Sequence, residues 1–274
     1  MKKSLSDQEI AKQISFRPEL KGFVGVEREY YLASGEDDKQ GRAFGEWVRM
    51  SMTDPGMPVP ESQKFLEGIG NSSWIYELSA CQVEYRTKPH GDLTELLYEL
   101  ESSLHHGAVV AERLGLRLFV SEIGPEGMPL DVYPDDRYTQ IKSGLSQEKL
   151  RAACRVTGVH VHIGVDCMQE AVRANNILAG HILDLAQMGD HSSGERLRVY
   201  KGMAEDWRPR IYDSPEHYYE TARECGFAKR IRDCWHLVRI SRYGTVELRM
   251  FGATADSYEI IRWVKEALSF IGYR

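Results

Sequence analysis

The chain has 274 residues, with 35 basic and 41 acidic side chains, and its net charge of −6 argues against a protein that binds nucleic acid through the phosphate backbone. No stretch reaches the roughly 20 apolar residues that span a bilayer, and the N-terminus lacks the apolar core of a secretory signal, so a membrane is not an expected partner. Five cysteines without CxxC spacing indicate reduced thiols, and we expect a cytoplasmic protein.

Hydrophobic periodicity predicts strands and helices in irregular succession along the chain. Residues 1–20 are a candidate N-terminal helical extension, and a long helix is expected between Asp92 as N-cap and Gly115. The other predicted helices lie at 145–154, 167–188, within 195–230 and at 257–271, with helical fragments between 36 and 73. The predicted strands lie at 22–34, 73–87, 116–124, 158–166, 234–241 and 244–252.

Paired strands mixed with helices favour an α+β fold with a mainly antiparallel sheet over a regular βαβ succession. The sequence has no internal repeat, no low-complexity tract and no linker that would separate two units. We therefore expect residues 1–274 to form a single domain.

The segment GVEREYYL predicts a strand on which Glu27 and Glu29 share one face, opposite Val26, Arg28 and Tyr30. Two carboxylates one strand step apart repel each other, and burying them unpaired is costly. A divalent cation or a set of arginines would remove that cost. An edge strand with both glutamates in water is the alternative.

The segment YELSACQVEYRT adds Glu77 and Glu84, whose odd separation places them on opposite faces of an uninterrupted strand. Both can face one site only if a bulge or turn lies between them, at Ser79–Cys81.

The segment GTVELRMFGA predicts a strand whose residues Glu247, Arg249 and Phe251 share a face. A carboxylate beside a guanidinium suits a metal-bound phosphate, with Glu247 on the metal and Arg249 on the oxyanion. A cross-strand salt bridge on a solvated face is an equally good interpretation of this strand alone.

The segment GVHVHIGVD places His160 and His162 on the same face of a predicted strand. One imidazole could ligate a metal or contact a nucleotide phosphate, both could be satisfied polar groups of the core, or both could bind zinc in a metal-dependent hydrolase. Zinc usually takes a third His or Cys at close spacing, which is missing, although Cys154 and Cys167 flank the strand.

Taken in order, the G-x-E-x-E strand, ELSACQVEYRT, GVHVHIGV and YGTVELRMFGA resemble the carboxylate–amine ligases of the glutamate–cysteine ligase type 2 group, within the glutamine-synthetase-like superfamily. The ending GTVELRMFGATADSYEIIRWV is also similar to the related amidoligases. The resemblance implies a curved antiparallel sheet with an acidic concave face and with helices packed outside it.

The resemblance also implies the chemistry of an ATP-dependent ligase. Such enzymes bind ATP with Mg²⁺ or Mn²⁺, transfer the γ-phosphate to a carboxylate, and let an amine attack the acyl phosphate to give an amide and ADP. The expected partners are small-molecule carboxylate and amine substrates, amino acids among them. The sequence leaves open whether the chain forms a homo-oligomer. No GxxxxGK[ST] sequence is present, so ATP would not be held by a P-loop.

By motif match, the resemblance implies one set of metal ligands: Glu27, Glu29, Glu77, Glu247 and His160. His160 or His162 would contact the nucleotide, and Arg249 would stabilise the transferring phosphoryl group. Glu247 and Glu84 are further catalytic candidates, and Arg239 is the candidate for binding a substrate carboxylate.

One segment departs from the family pattern. Where members carry a sequence like ALSASSPFWxG, this chain has LAQMGDHSSGERLRVY, in which Arg196 and Arg198 are candidates for substrate contacts. That region helps to define the substrate pocket, so glutamate and cysteine are not assumed to be the substrates. The alternatives to a ligase are the zinc hydrolase and a non-catalytic, nucleotide-binding member of the same fold.

Overall fold

The computed structural model describes residues 5–35 and 56–273, and these residues form seven strands and ten α-helices. The strands are β1 (Val24–Ser34), β2 (Trp74–Tyr76), β3 (Gln82–Arg86), β4 (Leu116–Phe119), β5 (Val159–Gly164), β6 (Val238–Ile240) and β7 (Thr245–Phe251). The helices are α1 (Asp7–Ala11), α2 (Ser62–Ile69), α3 (Leu93–Arg113), α4 (Asp136–Gly144), α5 (Gln147–Arg155), α6 (Met168–Gly180), α7 (Ile182–Met188), α8 (Glu195–Met203), α9 (Pro215–Glu224) and α10 (Ser257–Ile271). Two 3₁₀ turns lie at Pro18–Leu20 and Ile231–Asp233.

All seven strands belong to one antiparallel sheet, in the order β2-β3-β1-β5-β7-β6, with β4 paired to the second half of β1. The eleven-residue β1 is the central strand, because its first half lies between β3 and β5. The predicted α+β fold with an antiparallel sheet is confirmed. Within the described residues, no helix is both long and apolar enough to cross a membrane.

Strict alternation along the central strands separates a helix-covered face from an acidic face. Val26, Val161 and Leu248 are buried on the covered face, in a core that also holds residues of α6 and α10. Arg28 shares this face and is fully buried, because its guanidinium donates to the Thr254 carbonyl at 2.9 Å and to Ser257 Oγ at 3.3 Å.

Several element boundaries follow the sequence signals. The helix α3 begins after Asp92, whose side chain accepts a hydrogen bond from the Thr94 N–H, and it ends before Gly115, which has a left-handed φ of 71°. The segment 73–87 is a hairpin rather than one strand, with its turn at Ser79–Cys81.

Other elements differ from the prediction. The helix α4 was not predicted, because Tyr138 is its one buried residue and it has little apolar periodicity. The N-terminal helix is limited to α1, and residues 1–4 of the predicted extension lie outside the described part of the chain. Of the predicted helical fragments between 36 and 73, α2 is one, and residues 36–55 also lie outside the described part.

A bulge in β7 overturns one predicted side-chain direction. Val161 pairs with Leu248 and Val159 with Phe251, so β7 contains one residue more than β5 over this stretch. Phe251 consequently turns to the covered face, where its ring stacks on Trp263 with centroids 4.9 Å apart. The prediction that Phe251 shares the face of Glu247 and Arg249 is wrong, because alternation holds only along an unbroken strand.

The end of β5 packs tightly on the turn Pro18–Leu20, and this contact requires a glycine. A Cβ atom on Gly164 would lie 2.1 Å from the Leu20 carbonyl oxygen. We expect Gly164→Ala to lower the free energy of unfolding by about 1–3 kcal/mol in urea titrations, because the backbone must shift. Gly180→Ala is the control: no atom lies within 4 Å there, and alanine in a helix is neutral or stabilising. Equal stability of the two variants would contradict this account.

Candidate active site

The register of the central strands brings acids and imidazoles of different motifs together on one face. Residues directly opposite each other on antiparallel strands have Cβ atoms about 5 Å apart, so each pair meets on the same side of the sheet. The pairs are Glu27 with His160, Glu29 with Glu84, and His162 with Glu247. These residues line one pocket on the acidic face.

Glu77 also lines this pocket. The hairpin turn at Ser79–Cys81 separates it from Glu84 and lets both side chains face the same site, as the sequence required. In this pocket, ligand atoms within 4.8 Å of one another form three groups: Glu27, His162 and Glu247; Glu27, Glu84 and His160; and Glu29, Glu77 and Glu84. Because Glu27 and Glu84 each belong to two groups, the potential metal ligands form a continuous row across the sheet.

The carboxyl groups at one end of this row repel each other. Burial, reinforced by Glu84, raises the pKa of Glu29 to about 8, and burial together with Glu29 raises the pKa of Glu77 to about 7. Burial and the charges of Glu27 and Glu77 hold the pKa of Glu84 well above its usual range. In the absence of a cation, Glu29 and Glu84 are therefore mainly protonated at neutral pH and Glu77 is about half protonated, and a divalent cation would replace those protons.

At the other end of the row, arginines supply the compensating charge. Arg239 binds Glu247 through two hydrogen bonds of 2.7 and 2.8 Å, and Arg249 donates to the same carboxylate at 2.6 Å. Burial alone would raise the pKa of Glu247, but attraction by Arg239, His162 and Arg249 outweighs it and lowers that pKa well below the usual range. Glu247 is thus charged at neutral pH and oriented by Arg239 and Arg249.

His160 is a neutral imidazole between two acids. Its Nδ1 lies 3.2 Å from Glu27 and its Nε2 lies 3.8 Å from Glu29. Burial, and then repulsion by Arg249, lowers the pKa of His160 to about 4. A neutral imidazole can ligate a metal, as the sequence predicted for this residue.

His162 has the geometry of a metal ligand. Its Nδ1 lies 2.8 Å from Thr245 Oγ1, while Nε2 is buried without a hydrogen-bond partner, 3.6 Å from Glu27 and 3.9 Å from Glu247. Metal-bound imidazoles commonly have their second nitrogen fixed in this way. Attraction by Glu247 and Glu27 outweighs burial and raises the pKa of His162, so a cation would compete with a proton there. The residues present therefore fit a divalent cation.

Among the predicted arginines, Arg249 and Arg239 lie in the pocket. The guanidinium of Arg239 has little capacity left for a substrate carboxylate, because it also donates to the carbonyls of Cys234 and Arg232. It fixes the turn Ile231–Asp233 to Glu247, which is a positioning contact.

The structure does not bring Arg196 and Arg198 into this pocket. Arg196 is buried under β7 and donates to the carbonyls of Thr157, Arg249 and Met250. Arg198 is exposed and paired with Glu195. The two arginines point apart because residues two positions apart on a helix do not share a face.

Sequence reasoning missed several residues of the pocket. Arg86 lies 2.6 Å from Glu84 and 3.2 Å from Glu27, and it follows Glu84 by two positions on β3, so alternation could have identified it. Further pocket residues come from the unpredicted helix α4, from the turn Ile231–Asp233 and from the segments on either side of β6: Arg137, Tyr138, Arg232, Trp235 and Arg242. Trp235 lies within the predicted strand 234–241, but β6 begins only at Val238.

The cysteines that could have completed a zinc site lie elsewhere. Cys154 is buried against Tyr31 and Phe119 in a separate hydrophobic cluster, and Cys167 is exposed before α6. Neither belongs to a group of potential ligands with His160 or His162 among the residues for which the structure is described.

An apolar cavity of about 350 Å³ adjoins the acidic pocket. Its walls include Phe23, Pro89 and Tyr243, with Gly25 in the sheet beneath. The two cavities share Glu27, Arg86, His162 and Tyr243, so an apolar chamber opens directly onto the row of potential metal ligands.

Comparison with known proteins agrees with this geometry. The family model described as glutamate–cysteine ligase family 2 matches residues 23–182, which is more than half of the chain and includes β1 to β5. The chain belongs to this family. The resemblance predicted from the ordered motifs is confirmed.

Two relatives named in the glutamate–cysteine ligase 2 series show how far the similarity extends. The relative from Rubrobacter xylanophilus is 27% identical over 251 residues, covering 85% of this chain and 64% of its own length. The relative from Frankia alni is 25% identical over 259 residues, covering 87% of this chain and 63% of its own length. The chain thus spans less than two thirds of the length of these relatives.

A solved structure shares the fold. A bifunctional glutathione synthetase from Pasteurella multocida superposes on 98% of this chain and on 39% of its own, with a TM-score of 0.55 and 15% sequence identity. At this identity the likeness supports the α+β fold of the family 2 chain and nothing about its substrates.

The crowded carboxyl groups predict how stability depends on pH. Between pH 6.5 and 8 the folded, metal-free protein binds more protons on Glu29, Glu77 and Glu84 than the unfolded chain, whose glutamates have ordinary pKa values near 4.5. The free energy of unfolding should therefore fall as pH rises, by about 1.4 kcal/mol per pH unit for each such proton. His160 opposes this trend only weakly, because it is neutral in the folded protein and, with an ordinary pKa of 6.5, is mostly neutral in the unfolded chain above pH 7.

Chemical denaturation of chelator-treated protein at several pH values measures this slope. Mn²⁺ should stabilise more at pH 8 than at pH 6.5, because it competes with protons. Glu84→Gln should make the slope shallower, whereas Glu195→Gln, which alters a half-buried carboxylate paired with Arg198 outside the pocket, should leave it unchanged. A metal-free stability that is constant or rises over this range would contradict the protonation scheme.

Proposed function

We propose that this chain is an ATP-dependent carboxylate–amine ligase that forms an amide through an acyl phosphate and releases ADP and phosphate. The observation that carries the proposal is the row of three overlapping ligand groups, built from five glutamates and two histidines on one face of the sheet. Membership of glutamate–cysteine ligase family 2 supports the same reaction class.

The ligand row suits Mg²⁺ or Mn²⁺ better than zinc. Carboxylate oxygens dominate all three groups, and hard cations take oxygen ligands, whereas zinc sites favour Cys and His. Glu27 and Glu84 would each serve two neighbouring positions, with His160 and His162 completing two of the groups. Bound ions would neutralise the charge of a triphosphate, which phosphoryl transfer requires.

The apolar cavity is the proposed site of the nucleotide base. Aromatic and apolar walls around a concave space are typical of sites for flat ring systems. Because this cavity shares Glu27 and His162 with the acidic pocket, a base held by Phe23 and Tyr243 would have its phosphates beside the metal ligands.

Arg249 is the proposed stabiliser of the transferring phosphoryl group. Its guanidinium is held by Glu247, and its Nε is buried without a hydrogen-bond partner. A fixed, partly unsatisfied donor in a buried site is suited to bind developing negative charge without reorganisation. Glu247 is then a positioning residue for Arg249 as well as a candidate metal ligand. No nucleophilic side chain is needed, since the amine substrate attacks the acyl phosphate.

The reaction can be tested without knowing the amine. Hydroxylamine replaces the amine by attacking the acyl phosphate, so a hydroxamate and free phosphate form. With ATP, Mg²⁺ and a panel of carboxylic acids, we expect Mg²⁺-dependent hydroxamate and ADP in equal amounts. Glu247→Gln and Arg249→Ala should lower the rate about 100-fold or more. Arg198→Ala, which alters an exposed pair, should retain activity.

Three results would count against the proposed reaction or the proposed roles of its residues. Hydrolytic turnover with zinc but without ATP would favour the hydrolase alternative. Nucleotide binding without any ADP release would favour a non-catalytic member of the fold. ADP release that neither substitution affects would remove Arg249 and Glu247 from the reaction.

A second test addresses the base cavity. A Cβ on Gly25 would meet no atom closer than 4.0 Å, so the strand tolerates a side chain that then fills the apolar chamber. We expect Gly25→Leu to weaken MgATP binding in calorimetry by at least about tenfold, or 1.4 kcal/mol, while Mn²⁺ binding is retained. Gly180→Leu, at an open helix position, is the matched control. Unchanged MgATP affinity in Gly25→Leu would place the base elsewhere.

A further inference from the structure

A basic pocket of about 290 Å³ opens beside the acidic pocket. It is lined by Gln13, Arg137, Arg230, Ile231, Arg232 and Arg242. Three of these arginines, Arg137, Arg232 and Arg242, also line the acidic pocket, so they form the border between the two. We call these three residues the arginine border.

The arginine border has no counter-ion among residues 5–35 and 56–273, the part of the chain that the structure describes. Among the described residues, no ion pair includes Arg137, Arg232 or Arg242. Arg230 differs, because it is paired with Asp233 at 2.7 Å.

The acids of the neighbouring pocket do not serve as those counter-ions. Glu247 is already bonded to Arg239 and Arg249, and Arg86 lies against Glu84 and Glu27. Arg86, Arg239 and Arg249 thus form the ion pairs of the acidic row, and the three guanidinium groups of the border are left without a direct ion-pair partner among the described residues.

These three side chains lie close enough to repel one another. Burial, and then the charges of Arg137 and Arg242, lowers the pKa of Arg232. Like charges gathered in a partly buried pocket destabilise the folded state unless an anion joins them.

Contacts with neighbouring residues hold the arginine border in place but leave some guanidinium N–H groups free to bind a ligand. Arg137 lies over the ring of Tyr138 at 5.0 Å, and Arg242 lies over the ring of Tyr243 at 4.7 Å and donates to its hydroxyl. The backbone carbonyl of Arg232 accepts from Arg239 at 3.4 Å. Stacked guanidinium groups keep N–H edges available, and such edges bind carboxylate and phosphate oxygens in pairs.

We propose that the basic pocket binds an anionic substituent of the acid substrate, remote from the carboxylate that reacts. Three unpaired guanidinium groups can bind an anion of two or three negative charges, so the substituent is a phosphate monoester or at least two further carboxylates. The acid substrate is then a polyanion rather than a simple amino acid. The assignment of the ligand as the substrate rests on the proposed ligase function, while the anion site itself does not.

Calorimetry on the full chain, made metal-free with a chelating resin and held at low salt, tests the site directly. The probes are inorganic phosphate, citrate and acetate. We expect phosphate or citrate to bind at least about tenfold more tightly than acetate, and Arg232→Gln and Arg137→Gln to weaken that binding about tenfold. Arg198→Gln should bind as the unaltered chain does. Preference for phosphate indicates a phosphorylated acid, and preference for citrate indicates a polycarboxylic acid.

Thermal unfolding separates a binding role from a structural one. Removing an unneutralised charge should leave the melting temperature of Arg232→Gln equal or higher, whereas loss of a structural contact would lower it. Saturating MgATP should leave phosphate binding unchanged.

The proposal is overturned if no anion binds, if Arg198→Gln loses as much affinity as Arg232→Gln, or if MgATP displaces phosphate. MgATP binding without any anion binding would overturn this inference alone. Anion binding without MgATP binding would instead keep the site and remove the ligase.

Discussion

The antiparallel register of β1 against β3 and β5 is the constraint on which the rest of the site depends. It sets Glu29 opposite Glu84 and Glu27 opposite His160, so carboxylates from distant parts of the chain meet in a buried space. Such a space is unfavourable without positive charge. A slip of one residue would turn every one of these side chains into the hydrophobic core, so the packing of the covered face and the composition of the acidic face specify the same register.

The negative charge is compensated in two different ways along the row of potential metal ligands. Around Glu247, arginines are built in and the carboxylate stays charged. Around Glu29, Glu77 and Glu84, built-in compensation is incomplete, and burial with mutual repulsion raises the pKa of each acid, so that protons or a cation balance the charge. The row thus has a permanently organised end, which carries the proposed phosphoryl-stabilising arginine, and an end whose charge depends on what is bound.

The sequence predicts those parts of the molecule that repeat with a fixed period. Alternation identifies the shared face of Glu27 and Glu29 and that of His160 and His162, because each pair lies on an unbroken strand. It fails at Phe251, because a bulge depends on the neighbouring strand, and at Arg196, whose partners are backbone carbonyls from another segment. The arginine border comes from α4 and two loops, and only the folded chain brings these together.

Arg28 links the C-terminal part of the chain to β1, the strand that carries Glu27 and Glu29. Arg28 lies between Glu27 and Glu29 in the sequence, and its guanidinium donates hydrogen bonds to the Thr254 carbonyl and to Ser257 Oγ at the start of α10. A chain truncated before Thr254 would leave the buried guanidinium of Arg28 without these acceptors. The loss would destabilise β1, which carries Glu27 and Glu29. The helix α10 therefore stabilises the central strand of the candidate site, although none of its residues lines the acidic pocket.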